Sequence, residues 1–274
     1  MYNQLEDLNE EQIYKLEELR HFLRETKKAC IAYSGGVDST FVAAIGYEQL
    51  NSKCIAITGV SDALSLDLLE EARKQAKWIG IKHIEIPTEE INDPLYQKNS
   101  RDRCFACKRE LHRQTKLIAV KTEYSNVIDG VNYDDLGDFR PGIEAAKQAG
   151  VISPLAELKI TKQDIRLISK SLGLPWWDKP AQPCLSSRIP YGYSISKERL
   201  LKIDKAENYI RGIGFPIVRV RCQGTTARIE IPSKEISRFM REYDRNNLLG
   251  FFTKLGFTCV SLDLEGLISG KLNR

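Results

Sequence analysis

Apolar side chains recur at every third or fourth position between residues 9 and 26, at Ile13, Leu16, Leu19 and Leu23, and this period predicts an amphipathic helix. Asn9 and Gln12 match a capping box at its start. The pattern then changes to short apolar runs bounded by turn residues, at 29–33, 54–58, 83–86 and 127–129, which read as strands. Helical stretches at 39–50, 66–79, 105–120, 142–149 and 161–172 lie between and after them. Strand alternating with helix predicts an α/β fold, a mostly parallel sheet covered on both faces.

Beyond Leu174 the periodicity fades. The stretch PWWDKPAQPCLSSRIPYGY holds four prolines and reads as a functional loop and a domain hinge. From Ser196 a second pattern begins: a helix at 197–211, a hairpin at 217–222 and 228–231, a helix at 234–255 and a strand at 259–264. That order predicts a small α+β domain of about 80 residues. The expected domains are therefore 1–192 and 193–274, with no internal repeat or low-complexity tract in either.

Composition narrows the class only coarsely. The 274 residues suffice for two cores, and 42% hydrophobic with 28% charged residues is ordinary globular usage. No apolar run approaches the roughly eighteen residues needed to cross a bilayer. The acidic, polar start MYNQLEDLNEEQ is unlike a signal peptide, so a cytoplasmic location is expected. A net charge of +4 with scattered cations suits anionic small molecules and nucleic acid alike. Seven cysteines, an odd number in a mid-sized chain, argue against a secreted disulfide framework and for reduced thiols or a metal site.

The strongest chemical signal is Ser34-Gly35-Gly36-Val37-Asp38-Ser39-Thr40, placed directly after the first predicted strand and opening a helix. Paired glycines allow a sharp turn that aims several N–H groups at one anion, and the helix N-terminus adds partial positive charge. A plain glycine turn is the structural alternative. The segment lacks the lysine of a GxxxxGK[ST] loop and the spacing of a GxGxxG fingerprint. SGGVDS instead resembles the PP-loop of N-type ATP pyrophosphatases, which grip the pyrophosphate of ATP and transfer AMP. That resemblance implies ATP bound along residues 34 to 40 and magnesium (Mg2+) held with the help of Asp38.

Three cysteines stand apart from the rest. Cys104 and Cys107 form a CxxC beside Arg101, Arg103, Lys108 and Arg109, and Cys184 lies in PCLSSR beside Arg188. Three thiolates would leave one iron of a 4Fe-4S cluster open to an exogenous ligand such as hydrosulfide. A zinc site would need a fourth ligand, for which His112 is nearest. Cys30, Cys54, Cys222 and Cys259 fall in predicted strands and are expected to be buried packing residues.

Over nearly its whole length the chain resembles the LarE family, PP-loop sulfur transferases of nickel-pincer nucleotide biosynthesis. The matching pieces are SGGVDST at 34–40, CFACK at 104–108, DGVNYDDLGDFRPG at 129–142, SPLAEL at 153–158, PCLSSRIPYG at 183–192 and VRVRCQG at 218–224. The resemblance implies a PP-loop fold (adenine nucleotide alpha hydrolase-like, Rossmann-like). It also implies that ATP adenylates the carboxylates of pyridinium-3,5-biscarboxylic acid mononucleotide, which sulfur then converts to thiocarboxylates. In some members the cysteine matching Cys184 gives up its own sulfur; in others cysteines matching Cys104, Cys107 and Cys184 hold a 4Fe-4S cluster. The CxxC favours the cluster-dependent form here.

The same resemblance assigns the substrate phosphate to Arg219 and Arg221, which alternation on a strand would place on one face; a solvated charged strand is the alternative. Gln223 stands where the family has a histidine. Asp129 is expected at the nucleotide, Asn132 and Asp135 at magnesium or substrate unless they only build an Asx-rich turn, and Arg188 at the adenylate or a carboxylate. The expected partners are a small-molecule nucleotide, an unidentified sulfur donor and further copies of the chain, a hexamer by family habit, with no membrane. A PP-loop tRNA thiolase is the nearest rival, weakened by the modest charge and the lack of a basic RNA-binding stripe. A non-catalytic zinc or nucleotide module and an ammonia-using synthetase are more distant ones.

Overall fold

The structure is a computed structural model and describes residues 8–124, 126–137, 140–268 and 270–271. Asp138 and Phe139 of the DGVNYDDLGDFRPG segment lie outside the described residues. In chain order the first elements are α1 (Glu10–Glu25), β1 (Ala29–Ala32), α2 (Val37–Leu50), β2 (Cys54–Val60), α3 (Leu66–Ile79) and β3 (Lys82–Pro87). There follow α4 (Pro94–Gln97), α5 (Arg103–Lys121), β4 (Asn126–Ile128), α6 (Pro141–Gln148), α7 (Pro154–Glu157) and α8 (Lys162–Ser171). The last part holds α9 (Lys197–Gly212), β5 (Arg219–Gln223), β6 (Thr226–Glu230), α10 (Ile236–Glu242), α11 (Arg245–Lys254) and β7 (Cys259–Leu262).

The chain divides into two compact units, residues 1–90 with 102–182, and residues 91–101 with 183–274. The hinge stretch is thus divided, Pro175 and Pro180 falling in the first unit and Pro183, Cys184 and Pro190 in the second. The α4 segment, which no composition change announces, also belongs to the second unit.

In the first unit four strands run parallel in the order β3-β2-β1-β4. The α/β reading therefore holds. Alternation sorts β1 between two layers: Ala29 and Ile31 join a core with Leu19, Leu23, Phe41, Ile45 and Ile165, while Cys30 joins Ile55, Ile57, Ile86 and Val127 on the other face. The capping box expected at α1 is present, with Asn9 Oδ1 accepting from Gln12 N–H at 2.8 Å and Gln12 Oε1 accepting from Asn9 N–H at 3.1 Å. Strand order reverses at β1, because β2 lies on one side and β4 on the other. The carboxyl ends of β1 and β4 therefore open onto a topological switch point, where ligands of open α/β sheets bind.

In the second unit β5 and β6 form an antiparallel hairpin, and β7 adds to β6 in parallel. The single helix expected at 234–255 is two, α10 and α11. Tyr243 is extended and the Asp244 carboxylate accepts from Asn247 N–H at 3.0 Å, so a capping side chain restarts the helix. Cys259, expected to be buried, is exposed because β7 is an edge strand with an exposed face. Cys30, Cys54 and Cys222 are buried as expected, and burial pushes the first two thiols up to about 12.

His112 on α5 is fully buried with neither ring nitrogen hydrogen-bonded. Burial, reinforced by Lys108 and Lys116, pushes its pKa from 6.5 down to about 3. A depressed folded-state pKa means that the unfolded chain takes up the proton first. Its contribution is therefore whole above about 6.5 and is lost as pH falls toward about 3. His112→Phe is expected to flatten the acid limb of a thermal-midpoint-against-pH curve over that window; an acid limb as steep as that of the parent chain would contradict this.

Candidate active site

The turn after β1 is built for close backbone approach. Gly35 has φ +69°, and a Cβ there would lie 2.9 Å from Ala72 Cβ on α3. From the other side Gly130, just past β4, comes so near that its Cβ would meet Ser39 N at 2.6 Å. Inside the turn Ser34 and Ser39 hydroxyls lie 3.1 Å apart, and Ser39 Oγ accepts from Ser34 N–H at 3.2 Å. No side chain caps α2, whose N-cap is Gly36. Its first-turn N–H groups and its positive end are thus available to an anion at the switch point. Thr40 faces inward instead, its hydroxyl donating to Gln75 Oε1 at 2.9 Å, an oxygen that also accepts from Tyr33 OH at 3.1 Å.

Two lysines attend this turn. Lys162 Nζ, from the first position of α8, reaches both carboxylate oxygens of Asp38 at 2.7 Å. Lys179 Nζ donates to Gly35 O at 3.0 Å and pairs with Glu71 at 2.8 Å. Asp129 is buried at the end of β4, where desolvation raises its pKa against the opposing bonds from Ser153 Oγ (2.8 Å) and Val131 N–H (3.1 Å). Burial likewise raises Asp135, which pairs with Arg140 at 2.8 Å and lies in the field of Asp38. The Asn132 carboxamide oxygen accepts from the N–H groups of Asp134 and Asp135, so it builds the turn itself.

The cysteines divide between the units. Cys104 and Cys107 lie one turn apart on α5, the first exposed and the second half-buried with its thiol donating to Glu90 Oε1 at 3.7 Å. Cys184 belongs to the second unit, exposed at the start of the short helical turn Leu185–Arg188. Among the described residues no three His, Cys, Asp or Glu side chains are grouped so as to hold a metal ion.

In the second unit the expected anion-binding arginines have unequal surroundings. Arg221 is 4% exposed, donating to Glu230 Oε2 at 2.8 Å and to Ser187 O at 2.6 Å. Arg188 donates from Nε and Nη2 to the Glu207 carboxylate at 2.8 and 3.2 Å, and from Nη1 to Pro183 O and Cys184 O at 2.6 and 3.2 Å. Arg219 is half-buried, and desolvation, with the nearby Arg188 and Arg221 charges, lowers its pKa. A cation so placed gains by receiving an anion.

No protein-family model matches the chain. An uncharacterized protein of Synechocystis sp. is 52% identical over 95% of this chain and 97% of its own length. A tRNA-specific 2-thiouridylase MnmA of Desulforamulus reducens is 26% identical over 56% of this chain and 53% of its own. The pyridinium-3,5-bisthiocarboxylic acid mononucleotide synthase of Lactiplantibacillus plantarum is 32% identical over 92% of this chain and 91% of its own length. The chain belongs to that synthase's family, the LarE family.

Four residues of this LarE family member escaped the sequence reading. Lys162 had a signal, since a lysine in the first turn of a helix opposes the macrodipole and needs another reason to be there. Lys179 sits in the proline-rich stretch with nothing to single it out. Glu207 and Glu230, both fully buried, look in sequence like any glutamate on an amphipathic element. Arg219 and Arg221 are separable by experiment. Arg221→Ala leaves Glu230 buried without its closest partner and is expected to cost about 3–5 kcal/mol, seen as a lower thermal midpoint. Arg219→Ala should change stability by less than about 1 kcal/mol yet weaken phosphate binding in calorimetry; equal stability losses in both would contradict the distinction.

Proposed function

We propose that this chain is an AMP-forming, pyrophosphate-releasing sulfur transferase that works in the cytoplasm. It adenylates the carboxylates of pyridinium-3,5-biscarboxylic acid mononucleotide and converts them to thiocarboxylates. The observation that carries the reading is the uncapped α2 N-terminus at the switch point, bearing SGGVDS, in a chain aligned over 92% of its length with the synthase. The tRNA thiolase reading is weaker because the corresponding match covers only 56% of the chain.

In this mechanism α2 N–H groups, with Ser34 and Ser39, bind the pyrophosphate portion of ATP. Lys162 and Lys179 add positive charge beside it. Asp38 and Asp135 offer hard oxygen donors, which suits magnesium, an ion that typically takes one or two carboxylates together with substrate phosphates. Bound magnesium would neutralise phosphate charge; Lys162, now on Asp38, would then turn to the phosphates. A carboxylate oxygen of the substrate attacks the α-phosphorus, pyrophosphate leaves, and an acyl adenylate remains. Arg219 holds the substrate's own phosphate while this happens.

In the single-turnover form the sulfur comes from Cys184, whose thiol is exposed. Its thiolate attacks the acyl carbon and AMP departs, giving a thioester. Removal of the Cys184 Cα proton then breaks the Cβ–S bond, leaving a thiocarboxylate on the substrate and dehydroalanine in the chain. Cys184→Ala is expected to abolish thiocarboxylate formation while substrate-dependent pyrophosphate release persists. Mass spectrometry of the parent chain after turnover should show loss of the elements of hydrogen sulfide at Cys184. Repeated turnover with Cys184 intact, in protein whose iron and acid-labile sulfide vanish in Cys104→Ala, would contradict the single-turnover step and assign the sulfur to a cluster.

A further inference from the structure

Residues 183–195 carry Cys184 without any strand or long helix to satisfy their backbone. Buried carbonyls there must find partners elsewhere, because an unpaired one costs about 1–3 kcal/mol. The partners come from a segment nearly a hundred residues earlier in the chain. Asn99 Nδ2 donates to Ile189 O at 3.2 Å, Pro190 O at 2.8 Å and Tyr193 O at 2.9 Å. The Asn99 carbonyl accepts from Gly192 N–H at 3.2 Å, and the Gln97 carbonyl from Ile195 N–H at 2.9 Å. Tyr96 OH shares a hydrogen bond with Ser186 Oγ. The front half of the stretch is held by Arg188 on Pro183 O and Cys184 O and by Arg221 on Ser187 O.

Asn99 is fitted to this place by its conformation as well as its amide. It is fully buried with φ +53°, a left-handed conformation that asparagine tolerates better than most residues. Its carboxamide supplies two N–H donors where three carbonyls converge. The stretch that follows Cys184 is thereby anchored, while the Cys184 side chain is exposed.

We propose that Asn99 is a positioning residue for sulfur transfer: with Tyr96 it forms a template that fixes the backbone presenting Cys184. The proposal rests on the role given to Cys184 above. A misplacement of about 1 Å costs a reaction on the order of a hundredfold, so the template matters to rate even where the fold survives.

The test compares Asn99→Gly, which keeps the left-handed backbone but removes the amide, with Tyr96→Phe and the parent chain. Three readouts are compared: the single-turnover rate constant for thiocarboxylate formation, the KM for ATP with the rate of pyrophosphate release, and the iodoacetamide alkylation rate of Cys184 by peptide mapping. Asn99→Gly is expected to lower the single-turnover rate constant by about tenfold or more and to speed Cys184 alkylation severalfold, with ATP KM and pyrophosphate release unchanged. Tyr96→Phe should move the same two quantities the same way by less. Alkylation and the single-turnover rate constant within about twofold of the parent, or a fall in all activities together with the thermal midpoint, would overturn the proposal; neither pattern is what a misaimed cysteine produces. If Asn99→Gly does not fold, Tyr96→Phe decides by the same readouts. A parent chain that forms no thiocarboxylate would sink the functional reading instead, and the alkylation rates would still decide the role of Asn99.

Discussion

The chemistry of the first unit depends on one backbone constraint, the turn between β1 and α2 squeezed from both sides. Gly35 lies against α3 and Gly130 against the first turn of α2, each nearer than a side chain would permit. Close approach leaves the helix N-terminus uncapped by any side chain, and the dipole and N–H groups that a cap would have satisfied face the switch point. Asp38, Lys162 and Lys179 are arranged around that positive end. The bidentate contact of Lys162 with Asp38 neutralises the carboxylate.

The second unit solves a different problem, how to hold arginines in a small core. A fully buried carboxylate is tolerable only with charge and hydrogen bonds around it. Glu207 accepts from Arg188, Arg211 and Val220 N–H, and Glu230 from Arg221 and Arg228. Those acids fix the guanidiniums of Arg188 and Arg221, which in turn grip the carbonyls around Cys184. Arg219 lies half-buried within that cationic surround, which suits it to the phosphate-binding role proposed for it. Three arginines that look equivalent in sequence thus divide into two that hold the loop and one suited to bind.

Legibility followed the range of the interactions. The parallel sheet and the glycine turn after β1 were readable because their signals are local: β1 and β2 are apolar runs bounded by turns, and SGGVDS stands between strand and helix. The break between α10 and α11 was missed because periodicity continues across Tyr243, although Asp244 was present as a capping residue. Cys259 was misjudged because a strand pattern does not say which strand lies at the edge. The roles of Asn99, Glu207 and Glu230 could not be read at all. Asn99 depends on partners brought near by tertiary folding, 90 residues away for Ile189, while Glu207 and Glu230 depend on burial that their sequence neighbourhood does not mark. The switch-point residues Asp129 and Asn132 fell between these cases, visible as an Asx-rich segment whose internal bonds only coordinates disclose.

In the proposed reaction ATP activates a substrate carboxylate by adenylation before sulfur arrives. Substrate with heavy oxygen in its carboxylates tests this most directly, since attack on the α-phosphorus carries one carboxylate oxygen into AMP. Adenylation predicts one labelled oxygen in AMP for each thiocarboxylate formed. Unlabelled AMP, with the label retained in the product or found in inorganic phosphate, would contradict it.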